Sequence, residues 1–102
     1  MAEKVYTFST EDVTAVERIV DNGKVRINHL SLVGGESVDS HATPDAAHFI
    51  VTKGTLSLKL NDREEVQYPE GSIIAIKADT MLAISNRHAT TMHLFVIKTD
   101  IS

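Results

Sequence analysis

The stretch EGSIIAIKADTMLAISN, residues 70–86, carries the pattern that decides the fold. Gly71 follows Pro69-Glu70 and marks a turn, and a short, fully apolar run from Ile73 to Ile76 comes next. A run this short, bounded by turn residues, has the length of a strand rather than of a helix. Lys77-Ala78-Asp79-Thr80 interrupts the apolar character. Leu82 and Ile84 then lead to Ser85-Asn86, a second turn signal. Two strands closed by turns within 17 residues imply β structure throughout.

The same punctuation continues outward in both directions. Leu56, Leu58 and Leu60 alternate with Ser57 and Lys59, so one face of that strand is buried and the other wet. Asn61-Asp62 turns the chain, and Val66 and Tyr68 begin the next strand. Upstream, Phe49-Ile50-Val51 runs up to Lys53-Gly54, residues 37–41 form another run, and Pro44-Asp45 marks a loop. Residues 24–33 read as a strand in which Val25 and Ile27 share one parity and Leu30 and Leu32 the other. That phase change predicts a β-bulge. Asn22-Gly23, between apolar runs, predicts a type I′ hairpin turn, with Val13, Val16, Ile19 and Val20 on its near side. Ahead of it the reading is open: Ser9-Thr10-Glu11-Asp12 can cap a short helix, since Ser9 sits three residues before an acidic residue. At the far end, MHLFVIK (Met92–Lys98) is apolar on both faces around His93. About eight to ten short strands, with turns roughly every 6–12 residues, predict an all-β sandwich or barrel, in one domain spanning residues 1–102.

Composition narrows the partners. A formal charge of −4 and the lack of any basic run argue against nucleic acid, which needs clustered Lys and Arg. No apolar run approaches the roughly 18 residues of a membrane span, and Met-Ala-Glu-Lys-Val lacks the apolar core of a secretory signal. The chain has no cysteine, which removes disulfides, thiolate metal sites and a cysteine nucleophile together. A cytoplasmic protein without membrane or nucleic-acid partners is expected. With 102 residues the core is small, so dimerisation is an expected supplement, and the two-faced apolar last strand needs cover on both sides.

The order and spacing of these turns resemble the cupin family, whose fold is an antiparallel double-stranded β-helix, the jelly-roll barrel. Its first motif has its counterpart in residues 35–54, from Gly35 through His41 to Gly54, closing in HFIVTKG. Its second has its counterpart in residues 71–86, with every spacing intact from Gly71 to Asn86. The resemblance covers residues 25–98. It also implies where a metal centre would lie: the three ligand positions of the first motif fall on His41, Thr43 and Ala47, and that of the second on Leu82. Lys77 and Asp79 stand at the motif's Pro and second Gly. Ala47 and Leu82 offer no donor, and a catalytic metal needs about three protein ligands. The family's metal-dependent isomerase and dioxygenase activities are therefore not expected by default, and no cofactor is.

The residues expected to line the barrel are His41, Thr43, Ala47, Phe49 and Leu82. His41 keeps the family position, where an imidazole can hold a ligand's carboxylate or act as a base; an alternative bonds it to Thr43 or Asp39. Should a divalent transition metal bind, the expected set is His41 with His48 or His93, although His48 would face outward if Ala47 faces in. His29 sits beside the suspected bulge, and His88 reads as a solvated turn residue. Three functions compete: a metal-free small-molecule-binding barrel, an enzyme centred on His41, and a structural dimerisation module whose barrel is filled by Phe49, Leu82 and Phe95. The apolar replacements at Ala47 and Leu82 favour the first, with a partly apolar ligand.

Overall fold

The structure, a computed structural model, describes residues 2–99. Nine strands form among them: β1 (Ala15–Asp21), β2 (Arg26–Leu32), β3 (Ser37–Thr43), β4 (Ala47–Lys53), β5 (Thr55–Leu60), β6 (Val66–Pro69), β7 (Ile73–Ile76), β8 (Thr80–Ser85) and β9 (Met92–Lys98). They pair antiparallel throughout, in a five-stranded sheet of order β1-β2-β9-β4-β7 and a four-stranded sheet of order β3-β8-β5-β6. No described residue lies in a helix, so none is long and apolar enough to cross a membrane.

Alternation along each strand puts one set of side chains between the sheets. The five-stranded sheet contributes Leu30, Leu32, Phe49, Val51, Met92 and Leu94, and the four-stranded sheet contributes Leu56, Leu58, Leu82 and Ile84. All ten are buried. Each such side chain stabilises the fold by about 1.5–3 kcal/mol relative to exposure.

Three local expectations are corrected. No bulge interrupts β2. It pairs with β9 without a register shift from Arg26↔Lys98 to Leu32↔Met92, and the shift lies instead in β1, between Arg18 and Val20. The change of parity arises because this sheet is apolar on both faces: Ile27 belongs to the outer one, Leu30 and Leu32 to the inner. The Asn22-Gly23 turn is not type I′. Gly23 has φ 83° while Asn22 stays at negative φ, and Asn22 Oδ1 instead accepts the N–H groups of Lys24 (3.0 Å) and Val25 (2.9 Å). An Asx-type bond replaces the second left-handed residue. Ser9 caps no helix. Its Oγ accepts the Glu11 N–H at 3.2 Å, and its own N–H is donated to Glu17 Oε1 at 2.9 Å, which ties the N-terminal segment to β1.

The two motif turns are held by specific bonds. Asn86, 1% exposed, donates to the carbonyls of Leu32 and Thr90, both at 2.9 Å, and accepts the His88 N–H at 3.0 Å. One side chain thus joins the end of β2 to the β8–β9 connection. Gly34 passes so close that an added Cβ would lie 2.6 Å from the His88 carbonyl oxygen. At the other end Asp79 adopts φ 62°, in the left-handed region that few non-glycine residues tolerate, and donates its N–H to the Thr43 carbonyl at 2.7 Å. Asn86→Ala strands two inward carbonyls and one N–H. It should lower the unfolding free energy by about 2–4 kcal/mol in urea titrations, whereas Arg87→Ala, at an exposed neighbour, should leave the midpoint nearly unchanged.

Candidate functional site

A cavity of about 250 Å³ opens between the sheets. Leu30, Val38, Phe49, Leu82, Ile84 and Val96 make its walls, with Asn28, His41, Thr43 and Lys98 as the polar contributors. His41 pairs across β3–β8 with Leu82, which puts it in inward register, yet it remains exposed. Its Nδ1 lies 3.1 Å from the Asp39 carbonyl oxygen. A carbonyl only accepts, so Nδ1 carries the proton and Nε2 of the neutral ring carries a lone pair. The partner of His41 is therefore the Asp39 backbone rather than its carboxylate. A register shift between Val38 and His41 breaks the parity that would have aligned the two side chains. Thr43 is buried and donates Oγ1–H to the Asp45 carbonyl at 2.7 Å.

Of the five residues expected to line the barrel, His41, Thr43, Phe49 and Leu82 form part of this wall. Ala47 is buried, 3% exposed, on the inner face but outside the cavity wall. Phe95 does not fill the barrel. It faces outward, with its ring centroid 4.7 Å from that of Phe8 and 5.0 Å from that of His29. One lining residue escaped the sequence reading. Asn28 shares the parity of Leu30 and Leu32, and its Oδ1 is buried with no partner among the described residues. Its strand parity was the available signal, obscured by the supposed bulge.

His41, His48 and His93 do not converge. His41 faces the barrel. His48, opposite Ala75 and Ile97, is exposed on the outer face of the five-stranded sheet, and His93, opposite Ser31, is on that same outer face. Among the described residues no three His, Asp or Glu side chains are grouped to hold a metal ion. Ala47 and Leu82 supply no donor atoms and the Thr43 hydroxyl is committed to Asp45, so the donor set at the barrel's ligand positions does not fit a metal.

A second titratable cluster lies on the outer face. Glu17 Oε1 sits 2.7 Å from His29 Nδ1, and His29 Nε2 sits 2.9 Å from His93 Nδ1. His29 is fully buried and His93 is 4% exposed. Burial pushes the His93 imidazole below the ordinary value of 6.5, and the neighbouring His29 and Lys53 act in the same direction. The Ser9 N–H, followed by the His29 ring, holds the Glu17 carboxyl below its usual range. Both depressions have one sign: the unfolded chain binds more protons, so stability is lost as the pH is lowered. The urea midpoint should be level above about pH 7, fall as the pH drops through about 6.5, and fall further through the carboxylate range. A midpoint unchanged from pH 7.5 to about 5 would contradict this.

The two-sheet sandwich with an aliphatic cavity defines a double-stranded β-helix protein. No protein-family model matches the chain. It is 35% identical over 99 residues to the uncharacterised protein MJ0764 of Methanocaldococcus jannaschii, a match spanning 96% of this chain and 85% of that one. The crystal structure of MJ0764, an RmlC-like cupin family protein with a double-stranded β-helix fold, superposes with a TM-score of 0.92 at 34% identity, over 97% of this chain and 92% of the archaeal one. A cupin superfamily protein of Desulfitobacterium hafniense superposes at 0.76 with 15% identity, over 91% of this chain and 83% of its own, which speaks for the fold alone. The chain belongs to the RmlC-like cupin family.

Proposed function

We propose that this cupin is a metal-free barrel that binds a small, partly apolar molecule and works in the cytoplasm as a homodimer. The observation that carries the proposal is Asn28 Oδ1, an acceptor buried in the mostly aliphatic cavity wall with no donor among the described residues. Leaving such a group unpaired costs about 1–3 kcal/mol, and a ligand hydroxyl or N–H recovers it. The remaining polar groups, His41 and Lys98, suit an acidic end of the ligand. At about 250 Å³ the cavity lies just below the roughly 300–1,000 Å³ of drug-sized pockets, so the ligand is small. An open cavity also weighs against a barrel that serves only as a filled structural module.

A thermal-shift screen of small hydroxy and keto acids should find compounds that raise the melting temperature, because a ligand of the folded state stabilises it by mass action. Leu82→Trp, which fills the cavity, should abolish the shift, and Asn28→Leu should weaken binding by about tenfold while leaving the protein folded. A shift that survives Leu82→Trp would remove the barrel as the site. Protein incubated with zinc, iron, manganese and nickel and then desalted should retain no stoichiometric metal; near-stoichiometric metal lost in His41→Ala would instead favour an enzyme with an atypical centre.

The dimer is supported by the outer face of the five-stranded sheet, where Ile27, Ile50, Ile73 and Ile97 share one side and Ile73 is 67% exposed. Isoleucines left partly exposed on one sheet face suit burial against a second copy. Sedimentation should give twice the chain mass of 11.2 kDa, and Ile73→Lys should shift it to the monomer.

A further inference from the structure

The Glu17–His29–His93 cluster lies on the opposite side of the sheet from the barrel cavity and has no part in it. With both rings neutral, the direction of its hydrogen bonds follows from chemistry. The Glu17 carboxylate only accepts, so His29 Nδ1 carries the proton of the 2.7 Å bond. In a neutral ring His29 Nε2 is then an acceptor, and the 2.9 Å bond must be donated by His93 Nδ1. His93 Nε2 is left with a lone pair, and no donor among the described residues bonds to it. Nε2 keeps contact with solvent, so it is not a sealed group left without a partner. This chain of bonds ends on a base.

That end is accessible. His93 forms the wall of a pocket of about 230 Å³ together with Phe8, Thr10, Thr52 and Lys53. Phe8, on the N-terminal segment, covers the relay: its ring centroid lies 5.1 Å from that of His29, which itself stacks on His93 at 5.1 Å. Lys53 Nζ is 3.2 Å from Asp12 Oδ1, and an ammonium group with three donors has two left for a ligand. The pocket thus offers an aromatic wall, two hydroxyls, a cation and a directed lone pair.

We propose that Glu17, His29 and His93 form a proton relay serving a second site, where His93 Nε2 takes the proton of a small ring-bearing weak acid and Lys53 holds the resulting anion. The only bond broken is the acid's O–H, and its proton passes to Nε2. The imidazolium formed donates through Nδ1 to His29, whose own Nδ1–H faces the Glu17 carboxylate that balances the charge. Besides these groups, the charges facing His93 are Lys53 on β4 and Asp12 on the N-terminal segment.

4-Nitrophenol tests the proposal, because its anion is coloured and its neutral form is not. Titrated with the full chain at a pH about one unit below the phenol's own pKa, it should show a saturable rise in phenolate absorbance. Glu17→Gln should cut the bound phenolate about tenfold, the equivalent of one unit of imidazole basicity, and the exposed Lys53→Met should weaken binding severalfold. Absorbance that does not rise, or that is lost in Leu82→Trp but kept in Glu17→Gln, overturns the proposal; the latter result assigns the phenol to the barrel. Acylation by diethyl pyrocarbonate, mapped by peptide mass, gives a readout that needs no ligand. His93 should be modified in the native chain and about tenfold more slowly in Glu17→Gln. Modification of His41, His48 and His88 with His93 untouched would show that Nε2 is sealed, and would likewise overturn it.

Discussion

The unbroken pairing of β2 with β9 is the constraint on which the rest of the structure depends. These two strands form the centre of the five-stranded sheet with β1 on one side and β4 on the other, and every residue from Arg26 to Leu32 has its partner on β9. Because their register never shifts, alternation divides their side chains cleanly. Leu30, Leu32, Met92 and Leu94 close the core, while His29, His93 and Phe95 emerge on the other side. A one-residue slip would exchange the two sets, burying imidazoles in the core and exposing leucines. The barrel cavity and the outer relay are therefore two consequences of one register.

At the barrel positions that the cupin resemblance assigns to metal ligands, this chain carries hydrocarbon at Ala47 and Leu82. Ala47 and Leu82 are 3% exposed and pack into the core, so they stabilise the fold where ligands would have cost desolvation. Polar atoms survive mainly toward the cavity mouth, at His41 and Lys98, and at one internal point, Asn28 Oδ1. A cavity of this composition offers shape and one or two hydrogen bonds rather than coordinating atoms. The outer face follows a different logic. There the aromatic rings of Phe8 and Phe95 pack on His29, the buried middle member of a carboxylate–imidazole–imidazole chain.

Much of the fold was legible because its signals are local. The clean alternation of Leu56, Leu58 and Leu60, the apolar run from Ile73 to Ile76 and the turns at Gly54, Asn61 and Gly71 each act over a few residues, and all appear as strands or strand ends. The errors came where one local signal had two physical meanings. A parity change at Ile27 to Leu30 reads the same whether the strand bulges or whether the sheet is apolar on both faces. Asn-Gly specifies a tight turn, but not whether Asn takes left-handed backbone or closes the loop with its side chain. Ser9, a good helix cap by sequence, was claimed by the Glu17 carboxylate eight residues away.

By itself the sequence determined the all-β architecture, the succession of strands and turns along the chain and the absence of donor atoms at Ala47 and Leu82, because residue type and spacing act along the chain. Only the tertiary structure decided which residues meet. His29 and His93 are 64 residues apart and come within 2.9 Å because β2 and β9 are neighbours in the sheet, and Glu17 joins them through β1. Asn28 acquires an unpaired oxygen in the cavity wall, and Phe95 leaves the barrel for the N-terminal segment, for the same reason. Strand order and register are collective properties of two packed sheets, set by the burial of all the leucines together, and no single stretch of chain carries them.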